Sequence, residues 1–214
     1  MNRKSRPYVG LPDFLMLTDR RLQYLDVLVY TALKWYNNPE DECFPSQETV
    51  GKLAGLSRGF VINAIERLEN AEIIEVVRSK DKCVSNHYYF APPHMNKHLS
   101  KIPKDFFELT SDLTANERAM LLCLRQFFHH GHLEFRGTKP VGFFAECVGL
   151  TEPTVRKQFE NLIKKEYIGK RYIRLKSCDD KADVCFFLTD KVDWDFREYE
   201  TNKVIQQPTF LYVA

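Results

Sequence analysis

Between Arg58 and Asn70, residues able to read nucleic acid fall at helical spacing. Arg58, Gly59, Asn63, Glu66, Arg67 and Asn70 share one side of a helix whose other side is Val61, Ala64, Ile65 and Leu68. Asn and Arg can pair bidentately with adenine and guanine edges in the major groove. A Gly in the first turn lets a phosphate approach the free backbone N–H groups, where the helix dipole favours an anion. Lys80 and Lys82 follow in a polar segment, and a second basic series comprises Arg156, Lys157, Lys164, Lys165, Lys170, Arg171, Arg174 and Lys176. Such cations can neutralise phosphate. The bland alternative for both series is a solvated polar face.

Catalytic constellations fare worse. A metal bound by His130-Gly131-His132, with Tyr167 as nucleophile, would resemble the strand-borne pair of histidines used by DNA-nicking replication initiators. Here the middle residue is Gly instead of a hydrophobic one, and the triplet closes a helix, where the dipole favours His129, His130 and His132 anyway. Gly51-Lys52 lacks the spacing of a phosphate loop. Glu40, Asp41 and Glu42 read as a solvated turn, and nothing specifies a Ser-His-Asp or Cys-His set. Cys43, Cys83, Cys123, Cys147, Cys178 and Cys185 form no C-x-x-C pair, which argues against a zinc finger and a disulfide scaffold. The expectation is a non-enzyme with no catalytic residue, no metal and no cofactor.

Elements must position these residues, and 214 residues suffice for two small domains. Hydrophobic residues make up 44% and aromatic residues 13%, enough to build packed cores. The balance of 31 Lys and Arg against 29 Asp and Glu gives a net charge of +2, so affinity for DNA must rest on local pattern instead of overall charge. The longest apolar runs fall short of the ~20 residues of a membrane helix. Pro12 and Asp13 interrupt the apolar segment after the basic N-terminus, which excludes a signal peptide. The expected location is cytoplasmic.

The chain repeats itself. Gly55-Leu56-Ser57 superposes on Gly149-Leu150-Thr151 at a shift of 94 residues, with further matches at Val61/Val155, Glu66/Glu160, Leu68/Leu162, Glu72/Glu166 and Ile74/Ile168. In the first copy, the spacing of Leu25, Leu28, Val29, Ala32 and Trp35 predicts a helix entered at Thr18-Asp19. Ser46 caps a short helix that ends at Gly55, and Ser57 caps a third. Residues 73–78 and 87–90 then form a hairpin. In the second copy, Thr114-Ala115-Asn116-Glu117 is a capping box before a helix reaching Phe128. Val141 to Cys147 is the short helix, Thr151 caps the next, and residues 167–176 and 184–188 form the hairpin. The fold class is thus α+β, mainly α, with residues 1–93 as one domain, 94–103 as a linker, 104–190 as the second domain and 191–214 as an extension; Pro92, Pro93 and Pro103 punctuate and stiffen the segment that joins the two domains.

Two helices around a three-residue turn, followed by a hairpin, resemble a winged helix-turn-helix. The run Phe44-Pro45-Ser46-Gln47-Glu48-Thr49-Val50-Gly51-Lys52-Leu53-Ala54-Gly55-Leu56-Ser57-Arg58 is similar to such domains in bacterial, phage and plasmid regulators and replication initiators. The resemblance covers residues 18–90 well and 114–188 more loosely. It implies two winged helix-turn-helix domains in tandem and a sequence-specific binder of double-stranded DNA, either a replication initiator or a transcription regulator. Its further partners would be a second copy of the chain or the replication or transcription machinery. The alternative is a winged-helix module that docks other proteins. The second copy departs from the pattern, because Glu152 and Pro153 replace Arg58 and Gly59 and set a carboxylate where phosphate would approach. Arg3, Lys4 and Arg6 are candidates for a minor-groove arm or a solubilising terminus. The aromatic C-terminal region is expected to pack on the second copy, with oligomer contact as the alternative.

Overall fold

The computed structural model describes residues 8–12, 21–40, 42–81, 84–90, 99–126, 134–136, 140–174 and 182–194. Arg3, Lys4, Arg6, Lys82, Cys83, His129, His130, His132, Lys176, Cys178 and the aromatic residues beyond Trp194 lie outside them.

In the first unit, α1 (Asp26–Trp35) is followed by β2 (Glu42–Cys43), α2 (Gln47–Ala54), α3 (Arg58–Asn70), β3 (Ile74–Val77) and β4 (His87–Phe90), after an earlier strand β1 (Tyr8–Pro12). Ser46 and Ser57 have extended backbones, and their hydroxyls accept from Thr49 N at 3.1 Å and Phe60 N at 3.2 Å, as their types lead one to expect. Gly55 takes φ +72° at the end of α2, a left-handed conformation that a side chain resists. The Leu56 N–H then reaches back to Gly51 O at 2.9 Å and closes the turn. A Cβ on Gly51 would lie 2.7 Å from Leu56 O, so the turn needs Gly there.

The same devices recur after β5 (Leu99–Pro103) and α4 (Phe106–Leu109), in the series α5 (Ala115–Gln126), β6 (Glu134–Arg136), α6 (Pro140–Val148), α7 (Glu152–Lys164), β7 (Ile168–Arg174) and β8 (Ala182–Leu188). Gly149 has φ +67°, and Leu150 N donates to Ala145 O at 2.9 Å. The third helix of each unit ends on a left-handed Glu, Glu72 at φ 58° and Glu166 at φ 63°. Each of the two three-stranded sheets places its last strand centrally, in the orders β2-β4-β3 and β6-β8-β7. The capping box is present: Thr114 N donates to Glu117 Oε2 at 2.9 Å, and Glu117 N to Thr114 Oγ1 at 3.3 Å.

Several expectations are corrected. Residues 21–25 form turns, so the helix that carries Leu28, Val29 and Ala32 starts at Asp26, while Thr18-Asp19, its expected entry, lies outside the described residues. Thr151 is extended, but its hydroxyl pairs with Thr154 Oγ1 at 2.9 Å and makes no capping bond to the backbone. Glu42 belongs to a strand that pairs with Tyr89 instead of a solvated turn. The segment assigned as a linker contains β5, which pairs antiparallel with β1 from Tyr8↔Pro103 to Pro12↔Leu99. Pro tolerates this two-stranded ribbon, because an edge strand leaves alternate N–H positions unpaired.

That ribbon helps to fuse the units. Helix α1 packs on α2 and α3 on one side and on α5 on another. Residues 26–33 of α1 and 119–126 of α5 are buried all round, as a helix is when both its faces are covered. Trp35 meets Phe107 edge-on at 5.7 Å, Tyr24 Oη donates to Asn116 Oδ1, and Gln126 Nε2 donates to Pro12 O at 3.3 Å. One continuous hydrophobic core runs through both units. Phe144, Phe159 and Phe186 meet tilted or edge-on in its second half, with centroids 5.4 and 4.9 Å apart, and Trp194 is buried with its ring 6.1 Å from that of Phe106.

Candidate nucleic-acid interface

Helix α3 presents Arg58, Gly59, Asn63 and Glu66 to solvent, while Val61, Ala64, Ile65 and Leu68 are buried. No acidic residue lies in its first turn, and among the described residues nothing stands within 4 Å of where a Gly59 Cβ would be. The N-terminal end of the helix is therefore open to an anion. Ile62, half-buried beside Asn63, completes the stripe Gly59, Ile62, Asn63, Glu66. It was missed in the sequence as an apolar residue, although its i+4 spacing to Glu66 places it there, and it can meet a thymine methyl.

Arg67 does not belong to this face. Its guanidinium donates through Nε to Asp26 Oδ2 at 2.8 Å and through Nη2 to Asp26 Oδ1 at 2.7 Å, with the two side chains 22% and 1% exposed. Hydrogen bonding to Asp26 pushes the Arg67 pKa up. The residue expected to read a base instead anchors α3 to α1.

The hairpin is braced against the same helix. Arg78 forms a fork with Glu69, Nη1 to Oε1 at 2.9 Å and Nη2 to Oε2. Beyond it, Ser79 N donates to Asn86 Oδ1 at 3.2 Å across the β3–β4 loop, and Lys80 is on that loop. Lys80 is thus near the sequence expectation, and Lys82 lies outside the described residues.

In the second unit the corresponding helix end is closed. Glu152 pairs with Arg156 at 3.0 Å, and its carboxylate lies 2.7 Å from where a Cβ on Gly142 would stand. Lys157 and Lys164 are both exposed, as expected. Lys165 is held inward, since its Nζ donates to Glu117 Oε2 and to Asp112 O, both at 2.8 Å. On β7, Lys170 lies over Tyr172 on one face, at 5.2 Å, while Arg171 on the other face lies over Phe187, at 5.7 Å. All three of Lys170, Arg171 and Tyr172 are exposed. Arg174 ends the strand, and its side chain is outside the described set.

Tyr167, the candidate nucleophile, is a core residue at 1% exposure. Its hydroxyl lies 2.7 Å from Leu109 O and against Asp112 Oδ1, and burial pushes its pKa up. Cys43, Cys123 and Cys185 are buried free thiols, and burial pushes the Cys43 thiol up to about 12, which makes it a poor nucleophile.

No helix among the described residues is long and apolar enough to cross a membrane. No curated protein matches the sequence. Residues 20–74 match the family profile of a helix-turn-helix domain, a span that contains α1, α2, α3 and the start of β3. The chain therefore carries a helix-turn-helix domain built from α1, α2 and α3.

Proposed function

We propose that the protein is a sequence-specific binder of double-stranded DNA, built from two winged helix-turn-helix units in tandem, and that α3 is its reading helix. The observation that carries this is the open N-terminal half of α3, which has an exposed Arg58, Gly59 and Asn63 and no carboxylate in its first turn, set on a helix-turn-helix frame. In this role Arg58 and the first-turn N–H groups meet phosphate, Asn63 pairs with a base edge, and Lys80 on the hairpin loop reaches the adjacent backbone. Lys170, Arg171 and Arg174 give the second hairpin a sequence-independent phosphate grip, to which the exposed Lys157 and Lys164 of α7 add charge.

Replication initiation and transcription regulation both need these contacts. Footprinting on the DNA flanking the gene separates them: repeated sites near an origin support an initiator, and one site over a promoter supports a regulator. The closed end of α7 favours a second role for that unit, docking of a protein partner. A footprint unchanged after residues 104–190 lose their basic side chains would assign it that role.

A further inference from the structure

Where the units meet, one side chain of the second touches the turn of the first. Arg118, on α5, donates from Nη1 to Leu53 O at 3.4 Å and from Nε to Thr110 O at 2.9 Å. Leu53 lies in the last turn of α2, and Thr110 caps the end of α4. Carbonyls at helix C-termini lack intrahelical partners and carry the negative end of the dipole, so one guanidinium satisfies two helix ends, one in each unit. The fork lies over Phe107, 5.9 Å from the centroid, and a Cβ on Gly55 would stand 3.8 Å from Arg118 Nη1 and from Ala115 Cβ. The start of α5 thus lies against the residue that makes the helix-turn-helix bend.

We infer that Arg118 is a positioning residue for DNA reading, holding the α2–α3 turn from the second unit so that α3 enters the groove at one fixed angle. This rests on the proposed duplex binding. The positioning follows from geometry: α2 ends at Ala54 and α3 starts at Arg58, so any movement of the Leu53 carbonyl is passed through a short turn to the reading helix.

The test compares Arg118→Gln and Arg118→Lys in the full chain by two measurements: duplex affinity as a function of salt, and amide hydrogen exchange at Leu56 and Ser57. The glutamine variant should bind about three- to tenfold more weakly, as for residues that tune coupling without touching the ligand. It should keep the parental salt slope and exchange faster at the turn. Lysine keeps the charge but cannot span both carbonyls, and should fall between. Unchanged affinity and exchange would overturn the inference. So would a salt slope reduced by about one unit, which would put Arg118 on a phosphate itself. Should the parental protein bind no duplex, the proposed function fails, while exchange at the turn still decides whether Arg118 holds it.

Discussion

Asp26 is buried completely at the start of α1, and both its carboxylate oxygens accept from Arg67 on α3, with Gln23 N donating to Oδ2 at 2.8 Å. A buried carboxylate is tolerated when it is paired and hydrogen-bonded, and here the pair pins the angle between the two helices. The second unit reaches the same end with different residues: Glu117 at the start of α5 takes Lys165 at the end of α7.

Arg67→Ala leaves the Asp26 carboxylate buried without its cation, and should cost about 3–5 kcal/mol of stability by urea denaturation. Replacing both with apolar residues, Asp26→Leu with Arg67→Met, should cost much less than the sum of the single changes. Additive losses would mean that the two side chains act separately.

Gly51 and Gly59 should respond oppositely to Ala. Gly51→Ala drives a Cβ against Leu56 O and should destabilise by about 1–3 kcal/mol. Gly59 faces open space in an exposed helix, so Gly59→Ala should stabilise by up to about 1 kcal/mol. If phosphate approaches there, the more stable variant will bind duplex DNA several-fold more weakly. Equal affinity would remove the first turn from the interface.

Replacing Lys170, Arg171 and Arg174 with Ala together should weaken binding to all sequences alike and lower the salt slope by about one unit for each phosphate that is no longer neutralised. A parental slope would leave these residues as a solvated face.

Acid should weaken the pairing inside the second unit. Burial works to raise the Glu117 pKa, but the Lys165 ammonium and the Thr114 N–H and hydroxyl outweigh it, and hold the carboxyl below its ordinary 4.5. The Tyr167 hydroxyl likewise lowers Asp112. A group depressed in the folded state stabilises fully above its unfolded pKa and loses that contribution as pH falls through the folded value. Stability should therefore drop below pH about 4.5. Glu117→Gln should lose about 1–2 kcal/mol at neutral pH and flatten that acid limb. Urea midpoints from pH 7 to pH 3 check both.

Much of each unit was legible because its signals are local. Ser46, Ser57 and Gly55 act on neighbours three or four residues away, and the match of Glu72 to Glu166 marks two left-handed helix ends. What the sequence hid depends on distant partners. β1 and β5 pair across some ninety residues of chain, and nothing in a proline-punctuated segment announces the other strand. Arg67 sits at the right spacing for the reading face, and only the buried Asp26, 41 residues earlier, turns it inward. Arg118 looks like any helix-surface cation until α5 is packed beside the end of α2.

The central claim is that α3 reads base edges, and selection of bound sites from random duplex DNA, repeated with Asn63→Ala, tests it most directly. The parental protein should enrich one motif. The variant should lose preference at one position, at a cost of about 1–3 kcal/mol there, with the salt slope unchanged. No enriched motif, or an identical motif and affinity for the variant, would contradict it.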